Sequence, residues 1–238
     1  MSKIQAVILA GGAGSRLRPY TTVLPKPLMP IGDFPIAEII IRQLRFYGIK
    51  NIVISTGHLA GLIEAYFGDG RRWGVNIQYI CEDRPLGTAG ALKMIEDLAS
   101  DFLVINGDTL TQLDFHELLQ FHKKKKAAAT IAVKERVVKT DFGVVEFNEQ
   151  NELLNYVEKP QHTTYVSMGI NIFKKRCKDY IKDLEAISMP ELLLRLKASG
   201  ERVYCFKTSC LWLDLGRLDD LEAAQEIFRK NAGKFLLT

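Results

Sequence analysis

Ile4-Gln5-Ala6-Val7-Ile8-Leu9-Ala10-Gly11-Gly12-Ala13-Gly14-Ser15-Arg16 is the stretch on which the fold turns. The apolar run 4–9 stops abruptly at Ala10-Gly11-Gly12, so it reads as a buried strand feeding a loop. Glycines directly after such a strand let backbone N–H groups approach phosphate oxygens closely. The loop is not a Walker A sequence, because no Gly-Lys-Ser/Thr follows, and Leu17 stands where a dinucleotide fingerprint needs its third glycine.

Outward from this strand the pattern alternates. Apolar residues at helical spacing over 36–47 stop at Gly48, as a helix with a glycine cap does. Strands are predicted at 51–55, 75–80 and 102–105, and helices at 59–67, 89–98 and 113–126. Strand-then-helix order implies an α/β fold: a three-layer, doubly wound, mostly parallel sheet with helices on both faces. Ligands of such sheets bind at the carboxyl ends of the strands, which draws attention to polar residues just past each apolar run. Farther on the pattern loosens into strands at 128–133, 143–147, 153–157 and 166–173, a small β-rich part. It returns to a helix at 190–198, strands at 203–206 and 210–213, and a last helix at 218–228.

Composition sets outer limits. At 238 residues, 47% hydrophobic and 25% charged, the chain can bury the core of one large domain. A net charge of +4 spread along the sequence suits a small polyanion better than a long nucleic acid. The lysines at 123–126 close a predicted helix, where the helix dipole favours cations, and are read as a solvated end. Cys81, Cys177, Cys205 and Cys210 form no CxxC pair and are expected to be reduced. No signal-peptide pattern and no run of membrane-spanning length is present, so the expected location is cytoplasmic, without membrane partners.

Four constellations could carry chemistry. In the first, the loop is extended by Arg16 and by Lys26, which is held between Pro25 and Pro27. Two prolines restrict the backbone around an ammonium, favouring a polyphosphate site over a plain rigid turn. The second is Asn106-Gly107-Asp108 after the strand at 102–105, paired with Trp212-Leu213-Asp214-Leu215-Gly216. Two strand-end carboxylates could share one octahedral cation, or each could be a turn or cap aspartate. The third is Val157-Glu158-Lys159-Pro160, which taken alone is equally a surface turn. The fourth is Glu82-Asp83-Arg84-Pro85-Leu86-Gly87-Thr88, between a strand and a helix.

Residues 9–31 resemble the signature of the sugar-1-phosphate nucleotidylyltransferases, and the resemblance continues in order along essentially the whole chain. It implies that Leu9, Ala10, Gly11, Gly12 and Gly14 wrap a nucleoside triphosphate, with Arg16 on the departing pyrophosphate and Lys26 at the phosphate being transferred. Asp108 and Asp214 match the family's Mg²⁺ ligands. Lys159 matches the lysine on the sugar phosphate and Glu158 an acceptor for sugar hydroxyls, while Gly143, Ser167 and Asn171 fall at sugar-contacting positions. Arg16, Lys26, Asp108 and Lys159 are thus the expected catalytic residues. Glu82, Pro85, Gly87 and Thr88 fall in the stretch facing the base, in a pattern resembling the guanylyltransferases of mannose 1-phosphate or heptose 1-phosphate. An ionised Glu82 only accepts hydrogen bonds, and guanine offers N1–H and its 2-amino group as paired donors, whereas uracil and thymine offer one N–H there. Glu82 could equally be an exposed strand-end charge. Ser-Met-Gly-Ile at 167–170 resembles ADP-glucose-forming members instead, so the sugar stays unassigned.

The family resemblance also implies a nucleotide-binding part over 1–112 and a sugar-binding and second metal part over 113–238. No C-terminal β-helix is expected, and a homodimer is the expected assembly. Non-catalytic relatives usually lose their charged site residues; here all are present, which disfavours a purely regulatory chain.

Overall fold

The computed structural model describes residues 4–237; the remaining residues of the expected single domain, 1–3 and 238, lie outside the described residues. Its centre is a seven-stranded sheet built from β1 (Gln5–Ala10), β4 (Asn51–Thr56), β5 (Asn76–Cys81), β6 (Asp101–Asn106), β8 (Ala129–Lys139), β11 (Gln161–Lys174) and β12 (Val203–Thr208). The spatial order is β12-β8-β11-β6-β1-β4-β5. The pairs β6/β1, β1/β4, β4/β5 and β12/β8 are parallel, and β11 runs antiparallel to both its neighbours.

Period-two alternation decides which side chains meet which layer. Ala6, Ile8 and Ala10 of β1, with Leu103 and Ile105 of β6, face a layer of α1 (Ile36–Phe46), α2 (Ala60–Phe67), α4 (Phe115–Lys125) and α6 (Leu218–Leu236). Val7, Phe102 and Val104 face α3 (Gly87–Met94) and α5 (Met189–Ala198). A fully buried Val or Ile contributes roughly 1.5–3 kcal/mol of transfer free energy, so β1 and β6 form the rigid floor from which the loops hang.

Three short strand pairs complete the fold: β2 (Pro30–Ile31) with β3 (Phe34–Pro35), β7 (Thr109–Thr111) with β13 (Trp212–Asp214), and β9 (Val144–Phe147) with β10 (Leu153–Val157). The glycine cap of α1 is present: Gly48 has φ 77° and donates to the Arg45 carbonyl at 2.9 Å. The lysine run ends α4 on its exposed side, with Lys126 as the cap residue.

Several expectations need correction. The predicted strands 128–133 and 166–173 are the inner halves of β8 and β11, 11 and 14 residues long, whose outer halves pair with each other as an exposed ribbon. Cross-strand pairing rather than burial makes that ribbon, so no apolar run announces it. The last helix continues past 228 to Leu236, across a non-helical Asn231. His58 sits in the turn before α2, and His162 lies within β11. His122 of α4 is fully buried, and burial pushes its pKa down to about 4 despite nearby Asp101.

Candidate active site

The parallel strands β1, β4, β5 and β6 end at the same side of the sheet, and a cleft of about 380 Å³ opens there. The loop after β1 lines it with Gly11, Gly12, Gly14, Ser15 and Arg16. The other strand ends supply Ser55, Glu82 and the Asn106-Gly107-Asp108 turn. Pro85, Gly87 and Thr88 wall one flank, and Lys26, Pro27 and Gly216 the other.

The loop is held by specific contacts. Gly14 has φ 60°, and a Cβ there would lie 2.8 Å from Thr21 Cγ2. The buried Thr21 hydroxyl donates to the Gly14 carbonyl at 2.9 Å, while its own carbonyl accepts from His58 Nε2 at 3.0 Å. Gly11 is needed for a different reason: a Cβ would come 2.9 Å from Glu82 Oε1. A Cβ on Gly12 would meet no atom within 4 Å. Gly12→Ala is therefore expected to leave stability within about 0.5 kcal/mol. If a phosphate seats on that backbone, the same variant should raise the nucleotide KM at least about tenfold, because the added methyl takes the ligand's place. Melting curves and steady-state kinetics on one preparation check both parts.

Lys26 begins a single 3₁₀ turn, Lys26–Leu28, closed by Leu28 N–H donating to the Pro25 carbonyl at 2.8 Å. Its side chain is buried and its ammonium forms an ion pair with Asp108. Asp214 reaches the same place through the β7/β13 pairing, which sets it opposite Thr109, while Leu215 N–H donates to the Asp108 carbonyl at 3.1 Å. Burial raises the Asp214 pKa above the usual aspartate value, and the charge of Asp108 adds to the rise; Lys26 and Arg16 oppose it. Two carboxylates are thus close enough to repel, which is the donor set a hard oxygen-seeking cation fits once phosphate and water oxygens complete its shell. Among the described residues no third His, Cys, Asp or Glu joins them.

Arg16 stands between this cleft and a second one of about 540 Å³, shared with Asp214, Lys134, Arg136, Trp212 and Arg217. A Cβ on Gly216 would come 3.2 Å from the Arg16 guanidinium, so that glycine leaves room for the cation. The Thr88 hydroxyl accepts from Met189 N–H at 2.7 Å, and the Ile187 carbonyl accepts from Ala89 N–H at 3.0 Å. The flank that carries Pro85 and Gly87 is therefore stitched to the start of α5.

The structure does not bring the sugar-side residues into this cleft. Gly143 packs under the Tyr156 ring, and Glu158 and Lys159 are exposed past β10, where Tyr156 Oη donates to Glu158 Oε2 at 3.3 Å. Ser167 sits at the root of the ribbon, two residues before Gly169, which packs on the cleft residue Asn106. Asn171 is 2% exposed within β11, beside Val104 of β6, and lines neither cleft. The motif places it near the site in sequence, whereas in the structure it lies past a register shift in the inner half of β11, paired with Ile131 on one side and Val104 on the other. Sequence reasoning did not assign a binding or catalytic role to Ser15, Pro27, Ser55, Asn106, Gly107 or Gly216, which line the cleft, or to Thr21 beneath the loop. Ser55 carried a signal, as the polar residue ending the apolar run 51–55.

Comparison with known proteins places the chain in a family. The family model described as nucleotidyl transferase matches residues 5–231. The chain belongs to the nucleotidyl transferase family. A UTP--glucose-1-phosphate uridylyltransferase of Synechocystis is 34% identical over 91% of this chain. A D-glycero-alpha-D-manno-heptose 1-phosphate guanylyltransferase of Aneurinibacillus thermoaerophilus is 32% identical over 94%. The chain spans 61% of the length of the first relative and 97% of the second. The crystal structure of HddC from Yersinia pseudotuberculosis complexed with GMP-PN superposes with a TM-score of 0.73 at 27% identity, covering 96% of this chain and all of that one. No helix among the described residues is long and apolar enough to cross a membrane.

Proposed function

We propose that the chain transfers a nucleoside monophosphate, from GTP by preference, to a sugar 1-phosphate, yielding a nucleotide sugar and pyrophosphate. The observation that carries the proposal is the convergence of the glycine loop, Arg16, Lys26 and Asp108 on one cleft at the ends of four parallel strands. In the reaction an oxygen of the sugar phosphate bonds to the α-phosphorus as the bond to the bridging oxygen breaks, and that oxygen leaves with the pyrophosphate. The attacking group is already ionised near neutral pH, so no side-chain base is required. Both reactants are anions, and catalysis consists of alignment and charge neutralisation. Lys26 faces the transferred phosphate from its restricted turn, and Arg16, between the two clefts, holds the departing pyrophosphate. Lys159, in the turn between β10 and β11, receives the sugar phosphate, with Glu158, Gly143 and Ser167 around the sugar. Asp108 and Asp214 are the residues that would hold Mg²⁺, which when bound would neutralise phosphate charge.

Glu82 supports the guanine preference because its carboxylate lies in the cleft and only accepts hydrogen bonds. Two of the relatives above point the same way by name or by bound ligand, while the uridylyltransferase points to the alternative, uridylyl transfer to glucose 1-phosphate. Exposed Cys81 and Cys205, both free, suit the reducing cytoplasm. Pyrophosphate release from purified protein with Mg²⁺, five nucleoside triphosphates and a panel of sugar 1-phosphates tests the reading. GTP is expected to be fastest; indifference to GTP overturns the base, and no release with any pair overturns the reaction.

A further inference from the structure

Both oxygens of the Glu82 carboxylate are already engaged on the protein side. Ser55 Oγ–H donates to Oε1 at 2.8 Å, and the Leu86 backbone N–H donates to Oε2 at 2.9 Å. Glu82's own N–H donates to the Thr56 carbonyl at 3.0 Å, so the backbone that carries the group is anchored as well. Gly11 leaves the space Oε1 occupies. Ser55 is the penultimate residue of β4, is 1% exposed and lines the same cleft as Glu82.

We propose that Ser55 is a positioning residue for base selection: with the Leu86 amide it fixes the Glu82 carboxylate so that two acceptor oxygens are presented side by side to the base. This rests on the guanine reading above. A carboxylate has about four lone-pair directions, and one on each oxygen is taken by these two donors. Those left suit a base edge with two adjacent N–H donors, as in guanine N1–H and N2–H. Uracil and thymine offer a single N–H flanked by carbonyl oxygens, so a fixed second oxygen repels them. Adenine and cytosine offer one amino group beside an acceptor, and fare no better. Without the Ser55 hydroxyl, Oε1 loses its donor and the carboxylate can turn to present one oxygen, which relaxes the choice.

Ser55→Ala is expected to lower the ratio of kcat/KM for GTP to that for UTP by about tenfold, the scale of one hydrogen bond to a charged group. The loss should fall on the GTP KM, with kcat and melting temperature little changed. Ser55→Thr, which keeps the hydroxyl on a β-branched strand residue, should restore the ratio. In a Glu82→Ala background, where no side-chain oxygen is left for the serine to hold, Ser55→Ala should have no further effect on selectivity. A folded Ser55→Ala enzyme with the wild-type ratio overturns the inference and leaves the guanine reading intact. Equal effects of Ser55→Ala with and without Glu82 overturn it too. A wild-type enzyme with no GTP preference removes the guanine reading itself, and this inference with it.

Discussion

Lys26→Ala is expected to lower turnover by at least about two orders of magnitude, the usual scale for losing one preorganised charged contact in a water-poor site. The side chain is 11% exposed, issues from a turn braced by prolines on both sides, and meets Asp108, 82 positions on in the chain. Its place is therefore set before substrate arrives, and little reorganisation is needed as charge moves in the transition state. In the proposed mechanism the Lys26 contact strengthens as the phosphate transfers, so kcat and kcat/KM should fall together rather than KM alone rising. Asp108 and Asp214 would lose a neighbouring cation, but both border an open cleft in which water can take its place. Stopped-flow pyrophosphate assays on protein with a native circular-dichroism spectrum give the measurement. A folded variant with a near-wild-type rate would sink the assignment.

The companion experiment removes the opposite charge. Asp108→Ala should cost a similar factor, together with a shift of Mg²⁺ activation to higher concentration. Its side chain is the one that both Lys26 and the proposed metal require, whereas its main chain serves the fold. The Leu215 amide bonds to the Asp108 carbonyl, and β7 pairs with β13 through backbone groups, so truncation leaves Asp214 where it was. With the neighbouring negative charge gone, one cause of the raised Asp214 pKa disappears, and that carboxyl becomes more acidic. Residual activity that titrates with Mg²⁺ as the wild type does would contradict a shared two-carboxylate site.

Much of this was legible in the chain. The run 4–9 and the glycines after it announced a strand feeding a loop, and β1 is the strand whose end opens the cleft. Strand ends at 105 and 213 pointed to Asp108 and Asp214, because an apolar run breaking into a carboxylate is visible at short range. The ribbon was read less well. Its outer residues are exposed on both faces, so their pairing leaves no periodic apolar signal, and the chemistry of Glu158 and Lys159 came through family likeness alone.

Asn171 shows what local reading does not reach. Its neighbours in sequence resemble a sugar-contacting motif, but its burial is set by pairing with β6 and with Ile131 of β8, far away in the chain. Ser55 shows the reverse. A serine near the end of a strand is unremarkable until Glu82, 27 residues on, is laid beside it by the parallel β4/β5 pairing.

That the glycines form a loop after a buried strand was therefore determined by sequence, since chain flexibility at that point is a local property. That Gly11 makes room for a carboxylate, Gly12 faces open space and Gly14 packs on Thr21 was decided by tertiary structure alone. Each of those roles depends on an atom brought from another part of the chain, and packing, unlike backbone propensity, has no signature in the residues that receive it.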